Sequence, residues 1–152
     1  MANVDEIRAA IKAKLESVPG IGLVHSYERY AHDQKAFRTL FETSGKVLGW
    51  LIRRVATRET SRTIGRHDVT HRWQIRGYMS LDDAAASEIA FDDLVEAGRD
   101  AFRADETLGG VVDDTVGDGD SIGLQVEDSG PVMFAGVLCH SVRLGLTTRH
   151  TQ

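Results

Sequence analysis

The stretch R-H-D-V-T-H-R-W-Q-I-R-G-Y-M, residues 66–79, decides the fold. Val69, His71, Trp73 and Ile75 alternate with Thr70, Arg72, Gln74 and Arg76. One greasy face and one wet face is the pattern of an antiparallel strand backed by a core on one side. Upstream, residues 46–58 carry Val47, Leu48, Trp50, Leu51, Ile52 and Val55 and read as a second strand. Residues 59–65 between them are polar, so the two strands form a hairpin. Its arms are about 13 residues each, more than twice the usual strand length. At about 3.3 Å per residue they reach roughly 40 Å, about the diameter of a compact domain of this size. Such a ribbon must wrap, bend or project. The tip, residues 57–68, has no apolar residue except Ile64 and is poorly suited to burial.

Helices are expected on both sides of this hairpin. Val4, Ile7, Ile11, Leu15 and Val18 recur three or four apart, which predicts a helix over residues 3–18. Asn3 with Glu6 looks like a capping pair, and Pro19-Gly20 ends the helix. A short strand follows at residues 22–27, then a short helix over 32–42 around Phe37, Leu40 and Phe41. After the hairpin, Ser80 with Asp83 at the capping-box position opens a helix running to about Ala104. Its stripe is Ile89, Phe91, Leu94, Val95, Gly98, Ala101 and Phe102. Gly98 marks either close packing or a tolerated cost. Residues 108–130 are rich in glycine and acid, with short strands at Val111 and residues 121–127 around a turn at Gly117-Asp118-Gly119. One long strand, residues 132–148, closes the fold, and the residues beyond it are expected to fray.

The expected fold class is therefore α+β: a mostly antiparallel sheet, two main helices packed on one face and a long projecting β-hairpin. The 152 residues suit a single domain spanning 1–152, long enough to bury a core without disulfides or metals. A net charge of −5 argues against a general nucleic-acid binder. The single cysteine, Cys139, rules out an intrachain disulfide and suits a reducing compartment. Residues 1–6 lack the apolar core of a secretory signal, and no apolar run reaches membrane-spanning length, so a cytoplasmic site of synthesis is expected.

Catalytic and metal-binding signals are weak. His67 and His71 are four apart, but four residues of strand span about 13 Å, too far for one zinc ion with bonds near 2 Å. Cys139 and His140 are adjacent and point to opposite faces of a strand. Asp113, Asp114, Asp118 and Asp120 form an acidic loop without calcium-loop spacing. Asp82-Asp83 sits at a helix start, where acids favour the dipole. No phosphate loop, nucleophile elbow or dinucleotide fingerprint is present. The expectation is a protein without catalytic residues, cofactor or metal.

Charge is parcelled unevenly. Residues 46–76 hold eight bases against two acids, whereas residues 77–128 hold fifteen acids against two bases. A body basic on one element and acidic on another can dock head to tail with its own copies. The candidate interface is Arg53, Arg54, Arg58, Arg62, Arg66 and Arg72 on the basic side, with Asp113, Asp114, Asp118 and Asp120 on the acidic side. Solvated charged faces are the bland alternative.

Several stretches together resemble the tail terminator, or tail-completion, proteins of long-tailed bacteriophages. They are I-K-A-K-L-E-S-V-P-G-I-G at 11–22, V-H-S-Y-E-R-Y at 24–30, Gly49-Trp50 and H-R-W-Q-I-R-G-Y at 71–78. L-D-D-A-A-A-S-E-I-A-F-D-D-L-V at 81–95 and F-A-G-V-L-C-H-S-V-R-L-G-L at 134–146 complete the set, while residues 112–128 lie outside it. The resemblance implies a structural virion protein with no active site and no cofactor. It would form a homo-hexameric ring at the head-proximal end of the tail tube, halting tube growth and offering a surface to the neck or head connector. The tube protein, the connector and the tail sheath would be neighbours, with genomic DNA passing through the lumen. It would assemble in the host cytoplasm and touch no membrane. The arginines are read from charge, not from the resemblance. A neck or head-completion protein is an alternative of similar size and plan. A third reading is a nucleic-acid module using the hairpin arginines.

Overall fold

The computed structural model describes residues 3–29, 31 and 33–152. The start of the expected short helix, His32, and Tyr30 of one resembling stretch lie outside the described residues. The fold is α+β, with three α-helices and a mixed six-stranded sheet among the described residues. The elements are α1 (Val4–Glu16), β1 (Leu23–His25), α2 (Gln34–Thr39), β2 (Glu42–Thr43), β3 (Lys46–Thr63), β4 (Arg66–Ser80), α3 (Ser87–Arg103), β5 (Gln125–Phe134) and β6 (Val137–Thr151). The strands lie in the order β1-β3-β4-β6-β5, with β2 paired to β3. Among the described residues, only the short β1–β3 pairing is parallel.

Local chemistry sets the boundaries. Asn3 caps α1 by accepting the Glu6 N–H at 2.9 Å, and Asp5 and Glu6 face the positive end of the helix dipole. Ile7, Ile11 and Leu15 form its buried stripe. They join Phe91, Val95 and Phe102 of α3 in one core with Trp50, Ile52, Trp73, Ile75, Leu144 and Leu146 of the sheet. A second, smaller cluster holds Phe41, Val47, Leu51, Phe134 and Cys139, with Phe37 and Leu40 against it. Val47 and Leu51 alternate with Trp50 and Ile52 along β3, so the two clusters occupy opposite faces of the sheet. Gly77 and Gly49 make this possible. A Cβ on Gly77 would come 2.2 Å from Trp50 Cζ3, and one on Gly49 would come 2.4 Å from Phe41 Cδ1. Each large side chain therefore occupies space that a Cβ would need.

The long hairpin is present, with pairing from Leu48↔Met79 out to Thr63↔Arg66. β3 runs on through residues 59–63, where no apolar pattern announces a strand, so the loop shrinks to Ile64-Gly65. Gly65 takes φ +80°, which a side chain would resist. β4 also pairs with β6 from Ser80↔Cys139 to Asp68↔Thr151. The far half is thus a three-stranded ribbon with β4 in the middle.

Four expectations are corrected. The helix expected over 80–104 breaks: a 3-10 turn at Asp83–Ala85 ends at Ala86, whose φ of 54° is left-handed, and α3 starts only at Ser87. Ser80 is no cap; its Oγ accepts the Val47 N–H at 2.6 Å. The strand expected over 132–148 is two strands, because Ala135 and Gly136 turn the chain with φ of 50° and 81°. The expected short strand at Val111 is absent, and that at 121–127 is replaced by a Val116↔Ile122 bridge and the first residues of β5. The end of the chain does not fray at Thr148. β6 continues to Thr151, and Gln152 exchanges backbone hydrogen bonds with His67.

Candidate docking surfaces

The two halves of β3 differ sharply. Val47 and residues 49–52 are buried, whereas every residue from Arg53 to Thr63 is exposed. Beyond Leu51, the pairing partner of His25, no described strand borders the outer edge of β3. Among the sequence-predicted residues, Arg53, Arg54, Arg58, Arg62 and Arg66 all lie on this far half or its tip, and Arg72 lies beside it on β4. Register separates their faces. Arg53, Arg58 and Arg72 share the face of Gln74 and Thr70, while Arg54 stands opposite Trp73 on the other. Arg62 is committed within the chain: its Nε donates to the nearly buried Asp68 carboxylate at 2.6 Å. Arg53 lies 4.0 Å from Glu28, which also pairs with Arg76. No ion pair involves Arg54, Arg58, Arg66 or Arg72 among the described residues.

The acidic loop is placed differently from expectation. It folds back along β6, where Asp114 bridges Arg149 in the backbone ladder and also pairs with its guanidinium. The hydrogen bond to Asp114 raises the pKa of Arg149. Asp113 accepts the Thr151 hydroxyl at 2.9 Å. Asp118 faces a hollow of about 380 Å³ that Arg58, Arg72 and Arg149 also line. Asp120 is exposed, with φ 61°. Part of the unlike charge thus meets inside one molecule, and Asp113 and Asp114 are not free for a neighbour.

Other acids remain open to solvent. Asp82, Asp83, Glu88, Asp92 and Asp93 are exposed around the start of α3, whereas Glu96 and Asp100 pair with Arg99 and Arg103. This cluster gave no catalytic or metal signal in the sequence. Apolar side chains lie beside it: Leu81, Ile89, Met133 and Leu138 are all exposed. Leu81 donates its N–H to Leu138 O at 3.2 Å, and Met133 pairs with Leu138 across the β5–β6 ladder, which ties three of them together. A hollow of about 540 Å³ opens here, lined by Val47, Leu48, Met79, Leu81, Ala85 and Val137 among others. Contiguous exposed apolar area rimmed by polar residues is a mark of an interaction surface.

The histidines and the cysteine have structural surroundings. His71 is buried, shares a 2.8 Å hydrogen bond with Thr57 and lies 5.6 Å from the His150 ring. Burial, then the nearby His150 and Arg54, lower its pKa. Burial pushes the Cys139 thiol up to about 11, so it is a poor nucleophile. His140 Nε2 and Ser87 Oγ share a 2.7 Å hydrogen bond, and Ser87 Oγ also accepts the Asp82 N–H at 2.8 Å. That pairing pins the start of α3 to β6. Among the described residues no three of His, Cys, Asp and Glu converge to hold a metal ion. No helix among them is long and apolar enough to cross a membrane. No protein-family model and no curated protein matches the chain.

Proposed function

We propose that this chain is a structural assembly subunit, a tail-terminator-like protein whose copies close into a ring on the end of a tail tube. The observation that carries the reading is the exposed basic far half of β3, where Arg54 and Arg58 have no ion-pair partner among the described residues, set against a separate exposed acidic and apolar surface near α3. Two unlike patches on one body suit heterologous contacts, and heterologous contacts close into rings when the rotation permits. In this reading α1 and α3 back one face of the sheet as a rigid core, and the hairpin reaches a neighbour. Six copies would stop tube growth and offer a surface to the neck or head connector. A neck or head-completion role would use the same surfaces with a different neighbour.

Electron microscopy of tail tubes co-produced with this chain tests the reading. A ring at one tube end, with tubes of uniform length, is expected. The double variant Arg58→Glu/Arg66→Glu should fold normally and yield overlong, uncapped tubes. It spares Arg62, because a glutamate there would leave Asp68 without its partner. Normal capping by the double variant would refute the role of the hairpin.

One observation favours a nucleic-acid reading: Arg53, Arg58, Arg72 and Arg143 share a sheet face. Asp118, next to Arg58 and Arg72, and Asp128, which pairs with Arg143, oppose it. Binding of duplex DNA by the monomer, weakening steeply with salt, would favour that alternative.

A further inference from the structure

The hairpin tip carries one contradiction to its polar character. Ile64, at the apex, is fully exposed, with Arg62 and Arg66 on either side. A lone large apolar side chain at the apex of a rigid, hydrogen-bonded ribbon contributes nothing to its own core. At the other end of β4 lies the 540 Å³ hollow, walled by Val47, Leu48, Met79, Leu81 and Val137. Asp82 and Lys46 are on its wall, and Asp83 and Glu88 line the adjoining hollow with Leu81 and Ile89, so acids outnumber bases there three to one. Knob and socket are at opposite ends of a strand of fifteen residues, roughly 45–50 Å apart. They cannot meet within one chain.

We infer that the hairpin tip of one copy seats in this hollow of the next, with Ile64 as the apolar anchor and Arg66 facing the Asp82, Asp83 and Glu88 rim. The inference rests on the ring reading and names its contact. Two independent matches support a second copy as occupant: an apolar knob against an apolar socket, and the unpaired Arg66 against a predominantly anionic rim. The pattern is that of an interface hot spot, a buried anchor surrounded by charges that set orientation. A contact between opposite ends of one molecule is heterologous, so repetition gives a ring or a filament and never a closed dimer of like patches.

Cysteine cross-linking tests it. The full chain carrying Ile64→Cys and Ala85→Cys should, on mild oxidation, form covalent multimers. A disulfide within one chain is excluded, because it needs Cα atoms within about 7 Å. A control carrying Ile64→Cys and Ala9→Cys, with the second thiol on the exposed side of α1, should stay uncross-linked. Ile64→Asp should weaken self-association at least about tenfold without moving the melting temperature, since Ile64 buries nothing in the free chain. Arg66→Glu should weaken it too, and Asp83→Arg added to Arg66→Glu should restore it. Rings that form normally with Ile64→Asp, or cross-links no faster than the control, overturn the inference and leave the ring reading standing. A native chain that never associates, with no cross-link in either variant, overturns both.

Discussion

The two halves of β3 belong to one continuous strand and differ in almost every physical respect. The near half, residues 46–52, is pressed between two apolar clusters, with Trp50 on one face and Leu51 on the other. It is bordered by β1, β2 and β4. The far half, residues 53–63, shares only the β4 ladder, is wholly exposed and carries four arginines. The β4 backbone ladder sustains the far half as strand, helped by the side-chain bonds of Thr57 to His71 and Arg62 to Asp68, and no apolar side chain of it enters the core. An extended, charged, bulged edge is how soluble proteins guard a strand against indiscriminate pairing. The register breaks at Arg54/Ala56 and Ser61/Thr63 are such bulges. Stability is therefore concentrated in the near half, and assembly, as proposed, would use the far half.

Substitutions should separate the halves. The largest effect belongs to Trp50→Ala, which empties the space against Phe91 and removes the indole hydrogen bond to Ile21 O. A loss of about 3–5 kcal/mol is expected by chemical denaturation. Gly77→Ala should cost about 1–3 kcal/mol, because the new methyl would collide with the Trp50 ring that rests there. A stability within about 0.5 kcal/mol of the native chain would show that the ring shifts freely.

The pH response sharpens the contrast at the boundary of the halves. His71 is held neutral by burial and by the neighbouring His150 and Arg54. Its pKa is lower in the folded state than in the unfolded chain, so unfolding takes up a proton. Its contribution is therefore full above about pH 6.5 and is lost as pH falls through the lowered folded value. Melting temperature should drop as pH falls from 7 to 5, and His71→Asn should flatten that slope. Smaller still is Gly98→Ala in α3, where a Cβ meets only Leu124 at an ordinary 3.9 Å. A gain of up to about 1 kcal/mol is expected, and a loss would mean that α3 packs more tightly there than its backbone suggests. In the far half, Arg58→Glu/Arg66→Glu should change stability by no more than about 0.5 kcal/mol.

The same contrast explains what could be read from the residues. The near half, β4 and the two longer helices were legible because burial imposes a period: Val69 to Ile75 alternate, and Ile7, Ile11 and Leu15 recur at helical spacing. Residues 59–63 were not, since E-T-S-R-T is held by ladder hydrogen bonds and leaves no hydrophobic trace. The turn at Ala135–Gly136 was hidden because alanine does not advertise a left-handed conformation. The break before α3 was hidden for the same reason at Ala86. The candidate arginines were singled out by counting charges. The commitment of Asp114 to Arg149, thirty-five residues away, was not legible, because it is a tertiary event. The apolar hollow was invisible, because its walls come from β3, β4, β6 and the turn before α3.

The native mass of the full chain, measured over a rising concentration series beside the Arg58→Glu/Arg66→Glu variant, tests the division of labour most directly. The native chain should shift from 16.7 kDa to a closed multiple, six-fold if the ring is a hexamer, while the variant stays at the single-chain mass with an unchanged melting temperature. A native chain that remains at 16.7 kDa throughout, or a variant that assembles as readily, would contradict the assignment of assembly to the far half of β3.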